Sequence, residues 1–90
     1  MPSVRRLVLD VLKPHHPDSL EFCQRLAALG PDYRVQLTVA EVDEHTETTR
    51  VTVEGADIDF HRVRDAITEM GASLHSIDEV EVTGSPASSD

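Results

Sequence analysis

Apolar residues change their spacing four times along this chain. Within Val4–Leu12, Leu7, Leu9 and Val11 fall at every second position, and helical spacing follows from Leu20 to Ala27. Two stretches of period two follow, then a helical stretch from Phe60 to Met70 and a last period-two stretch toward Val82. Period two alternates side chains between the faces of a strand, whereas spacings of three and four line up one stripe of a helix. The order of elements is therefore strand, helix, strand, strand, helix, strand.

The first strand is apolar on both faces. Leu7, Leu9 and Val11 share one face, and Arg6, Val8, Asp10 and Leu12 share the other. That pattern suits a central strand, which Lys13 and Pro14 end because proline cannot donate to the ladder. Asp18 and Glu21 have the spacing of a capping box behind Pro17, and Leu20, Cys23, Leu26 and Ala27 form the stripe of the helix that follows. Gly30-Pro31 stops it. Tyr33, Val35, Leu37 and Val39 alternate with polar residues, and the phase slip near Ala40 and Val42 predicts a bulge. The polar run Asp43–Glu47 reads as a turn and Val51 and Val53 as the returning strand, which makes a hairpin. Asp57 or Asp59 can cap the second helix, whose stripe is Phe60, Val63, Ile67 and Met70 and whose C-cap is Gly71. The last strand spans Leu74–Val82, with a second irregularity at Ser76-Ile77-Asp78.

Two βαβ units sharing one sheet, each with a right-handed crossover, give an α+β ferredoxin-like βαββαβ sandwich. The expected sheet is antiparallel in the order 4-1-3-2, with both helices on one face. Ninety residues suit one core. Residues 1–83 are expected to form a single domain, and residues 84–90 a polar, disordered tail.

Asp and Glu number 17 against 8 Lys and Arg, for a net charge of −9, and Lys13 is the sole lysine. An acidic, lysine-poor surface is expected of a protein working in concentrated salt, where the Debye length falls to about 3 Å at 1 M. The same charge argues against nucleic acid or an anionic membrane as partner. Phe22, Tyr33 and Phe60 are the only aromatics, too few for a base-stacking surface. Cys23 is alone, which excludes an internal disulfide. Without a membrane-length apolar run or a signal-like segment, a cytoplasmic location is expected.

Four segments carry a resemblance: RRLVLDVLKPH (Arg5–His15), VDEHTE (Val42–Glu47), VEGADIDF (Val53–Phe60) and HSIDEV (His75–Val80). Together they resemble the archaeal domain-of-unknown-function family 211 from about Val4 to Val82. The resemblance implies a ferredoxin-like fold, an archaeal source and assembly into ring-shaped homo-oligomers. It brings no established activity. His16 and His45 depart from the acidic or other polar residues expected there in relatives.

In the expected topology the end of the first strand, the hairpin turn and the start of the last strand meet at one edge. His15, His16, His45 and His75 gather there with Asp43, Glu44 and Glu47. Imidazole with carboxylate suits zinc, and carboxylate-rich turns suit calcium or magnesium. The expected ligands of a divalent cation are His15, Asp43, Glu47 and His75. The alternative is a solvated or interfacial cluster, since adjacent His15 and His16 cannot easily share an ion.

On the open sheet face, Arg6, Arg34 and Arg50 are expected near Asp10 and Glu54. They suit either an anion or, more simply, cross-strand ion pairs. No nucleophile elbow or glycine-rich phosphate loop is present, which points away from an enzyme. The leading expectation is a homo-oligomeric assembly or sensing domain, joined through its sheet edges and linked to a divalent cation. A regulatory small-molecule module and a small metal-dependent enzyme are the alternatives.

Overall fold

Leu7, Leu9, Val11 and Lys13 all turn inward from the first strand, so the sequence alternation continues one step further than the apolar residues do. The computed structural model of the chain describes residues 1–85. Its elements are β1 (Ser3–Pro14), α1 (Ser19–Ala27), β2 (Arg34–Val42), β3 (Thr46–Glu54), α2 (Phe60–Glu69) and β4 (Ser73–Thr83). All neighbouring strands are antiparallel in the order β2-β3-β1-β4, the expected order read from the other edge. This is the ferredoxin-like α+β arrangement. Of the expected tail, Gly84 and Ser85 follow β4 without regular structure. Residues 86–90 lie outside the described residues.

Both helices begin on an aspartate. The Asp18 carboxylate accepts from the Glu21 N–H at 2.9 Å, and the Asp59 carboxylate accepts from the Arg62 N–H at 3.2 Å. Each satisfies one of the orphan donors of a first helical turn. Gly71, at φ +82°, takes the left-handed conformation after α2 that glycine adopts without steric cost.

The inward stripe of α1 differs from the expected one. Phe22 and Leu26 are fully enclosed, Cys23 is half-buried, and Leu20 is 69% exposed. The larger Phe22 sets the rotation of this short helix, and Leu20 is left in its outward-facing first turn. Along α2 the expected stripe holds, with Val63, Ile67 and Met70 buried and Phe60 packed against the core. These residues close on Leu7, Leu9 and Val11 of β1 and Val51 and Val53 of β3.

Both expected irregularities are present. The β2–β3 register shifts between Val39 and Glu41, leaving Ala40 as the extra residue. On β4 the pairing with β1 skips Asp78 and His75. The hairpin turn is tighter than the polar run suggested. β3 already begins at Thr46, whose carbonyl accepts from the Asp43 N–H at 2.8 Å, so Glu44 and His45 alone form the tip.

Candidate functional site

The structure's most constrained polar group stands where β1 ends. Lys13 is 0% exposed. Its Nζ donates to the Pro14 carbonyl at 2.9 Å and the Pro17 carbonyl at 2.8 Å. It lies 3.3 Å from Glu47 Oε1 and 5.9 Å from the centroid of the Phe22 ring. An ammonium has three donors, and three oxygens surround this one. Beside Pro14, Lys13 has the sequence context of a strand terminator, which hides this role. The available signal was its phase: it continues the inward series Leu7, Leu9, Val11 by one step.

Glu47, the register partner of Lys13 on β3, turns its second oxygen to His15. His15 Nδ1 is 2.9 Å from Glu47 Oε2, while Nε2 lies 3.0 Å from the Glu44 carbonyl oxygen and 3.1 Å from that of Asp43. The hydrogen bond to Glu47, then the one to the Glu44 carbonyl, raise the His15 pKa above its ordinary value. In turn the His15 hydrogen bond leads in lowering the Glu47 pKa; desolvation opposes it and Lys13 adds to it.

The four expected metal ligands are distributed unequally. His15 and Glu47 are in direct contact, and Asp43 joins them through its backbone carbonyl. His75 stands apart, at a bulge of β4, with Nδ1 3.8 Å from Asp10 Oδ2. Asp10 belongs to the open face of the sheet, opposite the side on which Lys13 is enclosed. Asp10, Leu12, Thr48 and His75 border a shallow cleft there of about 120 Å³. His16 is exposed, and His45 pairs with Glu44 at 3.3 Å in open solvent. Among the described residues, no group of three or more His, Cys, Asp or Glu side chains is placed to hold a metal ion.

The open face carries cross-strand ion pairs at Arg6. Its Nη1 meets Glu54 Oε2 of β3 at 2.5 Å, and its Nε meets Glu79 Oε2 of β4 at 3.0 Å. The guanidinium thus ties three strands together in the fork geometry that suits arginine.

The two sheet edges differ from this charged face. Among the described residues, β2 pairs only with β3 and β4 only with β1. Val39 and Val42 on β2, and Ile77, Val80 and Val82 on β4, are between 40% and 64% exposed. Their register partners include Thr49, Glu47, Leu9 and Leu7, all on the helix-bearing side. A strand rises about 3.3 Å per residue against about 1.5 Å for a helix. Helices of 9 and 10 residues therefore cannot cover strands of 9 to 12, and these edge residues lie beyond their cover.

Comparison with known proteins gives two findings. The model of the family described as Uncharacterized ArCR, DUF211, matches residues 5–86. The chain is also 42% identical over 80 residues to Uncharacterized protein MJ0319 of Methanocaldococcus jannaschii, covering 89% of this chain and 82% of that protein. No helix among the described residues is long and apolar enough to cross a membrane.

Proposed function

The chain belongs to the DUF211 family, and from that premise we propose that it works by assembling with copies of itself, the β4 edge of one subunit adding to the β2 edge of the next. The observation that carries this reading is the apolar surface at both open edges, Val39 and Val42 on one and Ile77, Val80 and Val82 on the other. An uncovered edge strand is a template for another chain. Both sets lie on the helix-bearing side, so one sheet continued across subunits would bring them together. Because every neighbouring pair is antiparallel, β2 and β4 run in opposite directions, and a head-to-tail junction would itself be antiparallel. A heterologous junction of this kind closes into a ring when its rotation divides a full turn.

The net charge of −9 opposes self-association in dilute buffer. The reading therefore places the assembly in a salt-rich cytoplasm. A divalent cation has a supporting part in it, neutralising carboxylates near the junction such as Asp78, Glu79 and Glu81 of β4.

Light-scattering mass in molar salt, with and without chelator, tests the proposal. The expected result is one particle of several subunits. Val80→Lys on β4 should reduce it to monomer while circular dichroism stays native. A wild-type protein that is monomeric at tens of micromolar in molar salt overturns the reading. So does an assembly unmoved by charges placed on either edge. Stoichiometric metal in the purified particle, with loss of mass on chelation, would support the cation's part, and indifference to chelator would remove it.

A further inference from the structure

We infer that Arg34 of one subunit pairs with Glu81 of the next, and that this contact sets the register in which the β2 and β4 edges join. The inference rests on the head-to-tail reading above. It starts from a row of side chains that crosses the open face of the sheet. Arg34 of β2 is the register partner of Glu54 on β3, Glu54 that of Arg6 on β1, and Arg6 that of Glu81 on β4. The signs alternate from edge to edge, with a cation first on β2 and a carboxylate last on β4.

Only the middle of the row is satisfied within the subunit. Arg6 gives Nη1 to Glu54 at 2.5 Å and Nε to Glu79 at 3.0 Å. Its fork is thereby turned to Glu79 and away from its register partner Glu81. Among the described residues, neither Arg34 nor Glu81 has an ion-pair partner, and both side chains are exposed. Two unpaired charges of opposite sign therefore stand in one row at opposite edges.

Continuing the sheet without offset brings them together. Glu81 of one subunit falls opposite Arg34 of the next, and the row goes on alternating. On the helix-bearing side the same register sets Val80 against Val35, Ile77 against Leu37 and Leu74 against Val39. A slip of one residue would turn the apolar edge to the wrong face. A slip of two keeps the faces but sets Arg34 against uncharged Thr83 or against Glu79, which Arg6 already holds. The charged row thus chooses among registers that the apolar residues leave open. It also selects the partner edge. Two β4 edges would crowd Asp78, Glu79 and Glu81 of both chains, and like charges oppose that junction.

Cysteine cross-linking in molar potassium chloride reads the register in the full chain, with Cys23→Ala removing the native thiol. Thr38, Arg50, Asp10 and Ser76 form the neighbouring row. Within one subunit Thr38 and Ser76 are three strand spacings apart, about 14 Å, beyond the reach of a disulfide. Thr38→Cys with Ser76→Cys should therefore oxidise into covalent multimers. Gln36→Cys with Ser76→Cys, two residues out of register, should stay unlinked. In the otherwise native chain, Arg34→Gln and Glu81→Gln should each raise the concentration of half-dissociation about two- to fivefold, as an exposed ion pair allows. The double variant should show no more than either single one. Linking by the shifted pair, linking through Thr38→Cys alone, or additive effects of the two neutral variants would overturn the register. An assembled particle that Val80→Lys breaks but that fails these tests removes the Arg34–Glu81 contact alone. A wild-type protein that is monomeric throughout removes the head-to-tail reading and this contact with it.

Discussion

Lys13 and Glu47 are register partners on adjacent strands, and their charged ends meet at 3.3 Å on the enclosed side of the sheet. The acidic chain thus keeps its sole lysine in the interior. The position follows from strand period two. The chemistry follows from the loop beyond, whose Pro14 and Pro17 carbonyls need a donor that no proline can provide.

Replacing Lys13 should therefore be among the most damaging single changes. Lys13→Met keeps the volume but leaves two carbonyls without their donor and removes one of the two cations on Glu47. Leaving buried polar groups or half an ion pair costs roughly 2–5 kcal/mol. A small domain is stable by about 5–10 kcal/mol, so the loss is large. Urea unfolding of the wild type and of Lys13→Met measures it. A difference below about 1 kcal/mol would mean that water replaces the ammonium without penalty.

The order of elements, both bulges and the Asp18 cap were legible in the sequence because each depends on local spacing. The sheet order followed from the handedness of the two crossovers, and the second cap was narrowed to Asp57 or Asp59, of which Asp59 serves. The rotation of α1 was not. Leu20, Cys23 and Leu26 and the alternative Phe22, Cys23 and Leu26 are both helical stripes, and only the depth of the sheet chooses the larger ring. At the site, the meeting of His15 with Glu47 was legible from topology. The placement of His75 was not, because the bulge at that residue takes it out of the ladder register. Lys13 could be read from phase alone, but its residue type argued the other way until the carbonyls around it were known.

The two stripes make opposite predictions for mutation. Leu26→Ala should cost roughly 2–5 kcal/mol and Phe22→Ala roughly 3–5 kcal/mol, by lost burial and the cavity left behind. Leu20→Ala, at a residue 69% exposed, should stay within about 0.5 kcal/mol. Denaturant midpoints of the three variants rank the stripe. A Leu20→Ala loss that persists when the protein is monomeric would move Leu20 into the core.

Gly30 and Tyr33 make a second steric pair. A Cβ at Gly30 would overlap the Tyr33 ring, and the Tyr33 hydroxyl accepts from the Asp59 N–H at 2.7 Å, beside the cap of α2. Tyr33→Phe removes that acceptor at a solvent-accessible site, for a loss of about 0.5–1 kcal/mol. Gly30→Ala should cost more, since the ring must move and the hydroxyl goes with it. Combining Gly30→Ala with Tyr33→Ala should recover part of that excess, because the overlap is then gone. Thermal midpoints of the two single variants and the double variant give the coupling. Additive losses would show that the ring and the glycine do not constrain each other.

Charge gives the last prediction, and it separates two effects of salt. Each subunit carries −9, and 17 carboxylates compete with only 8 Lys and Arg for partners. At about 0.01 M ionic strength the Debye length is about 30 Å, so repulsion acts across a whole subunit; at 1 M it is about 3 Å and only direct neighbours interact. The close pairs Lys13–Glu47 and Arg6–Glu54 are screened far less than the dispersed carboxylates, so added salt should relieve repulsion more than it weakens attraction. The thermal midpoint should rise between 0.01 M and 1 M potassium chloride in a monomeric edge variant such as Val80→Lys. The wild type should gain more, because mass action adds the stability of the assembly to that of the fold. Equal gains would assign the salt effect to folding alone. A flat midpoint in both proteins would show that the negative surface is already neutralised in dilute buffer, and the case for a salt-rich setting would fall with it.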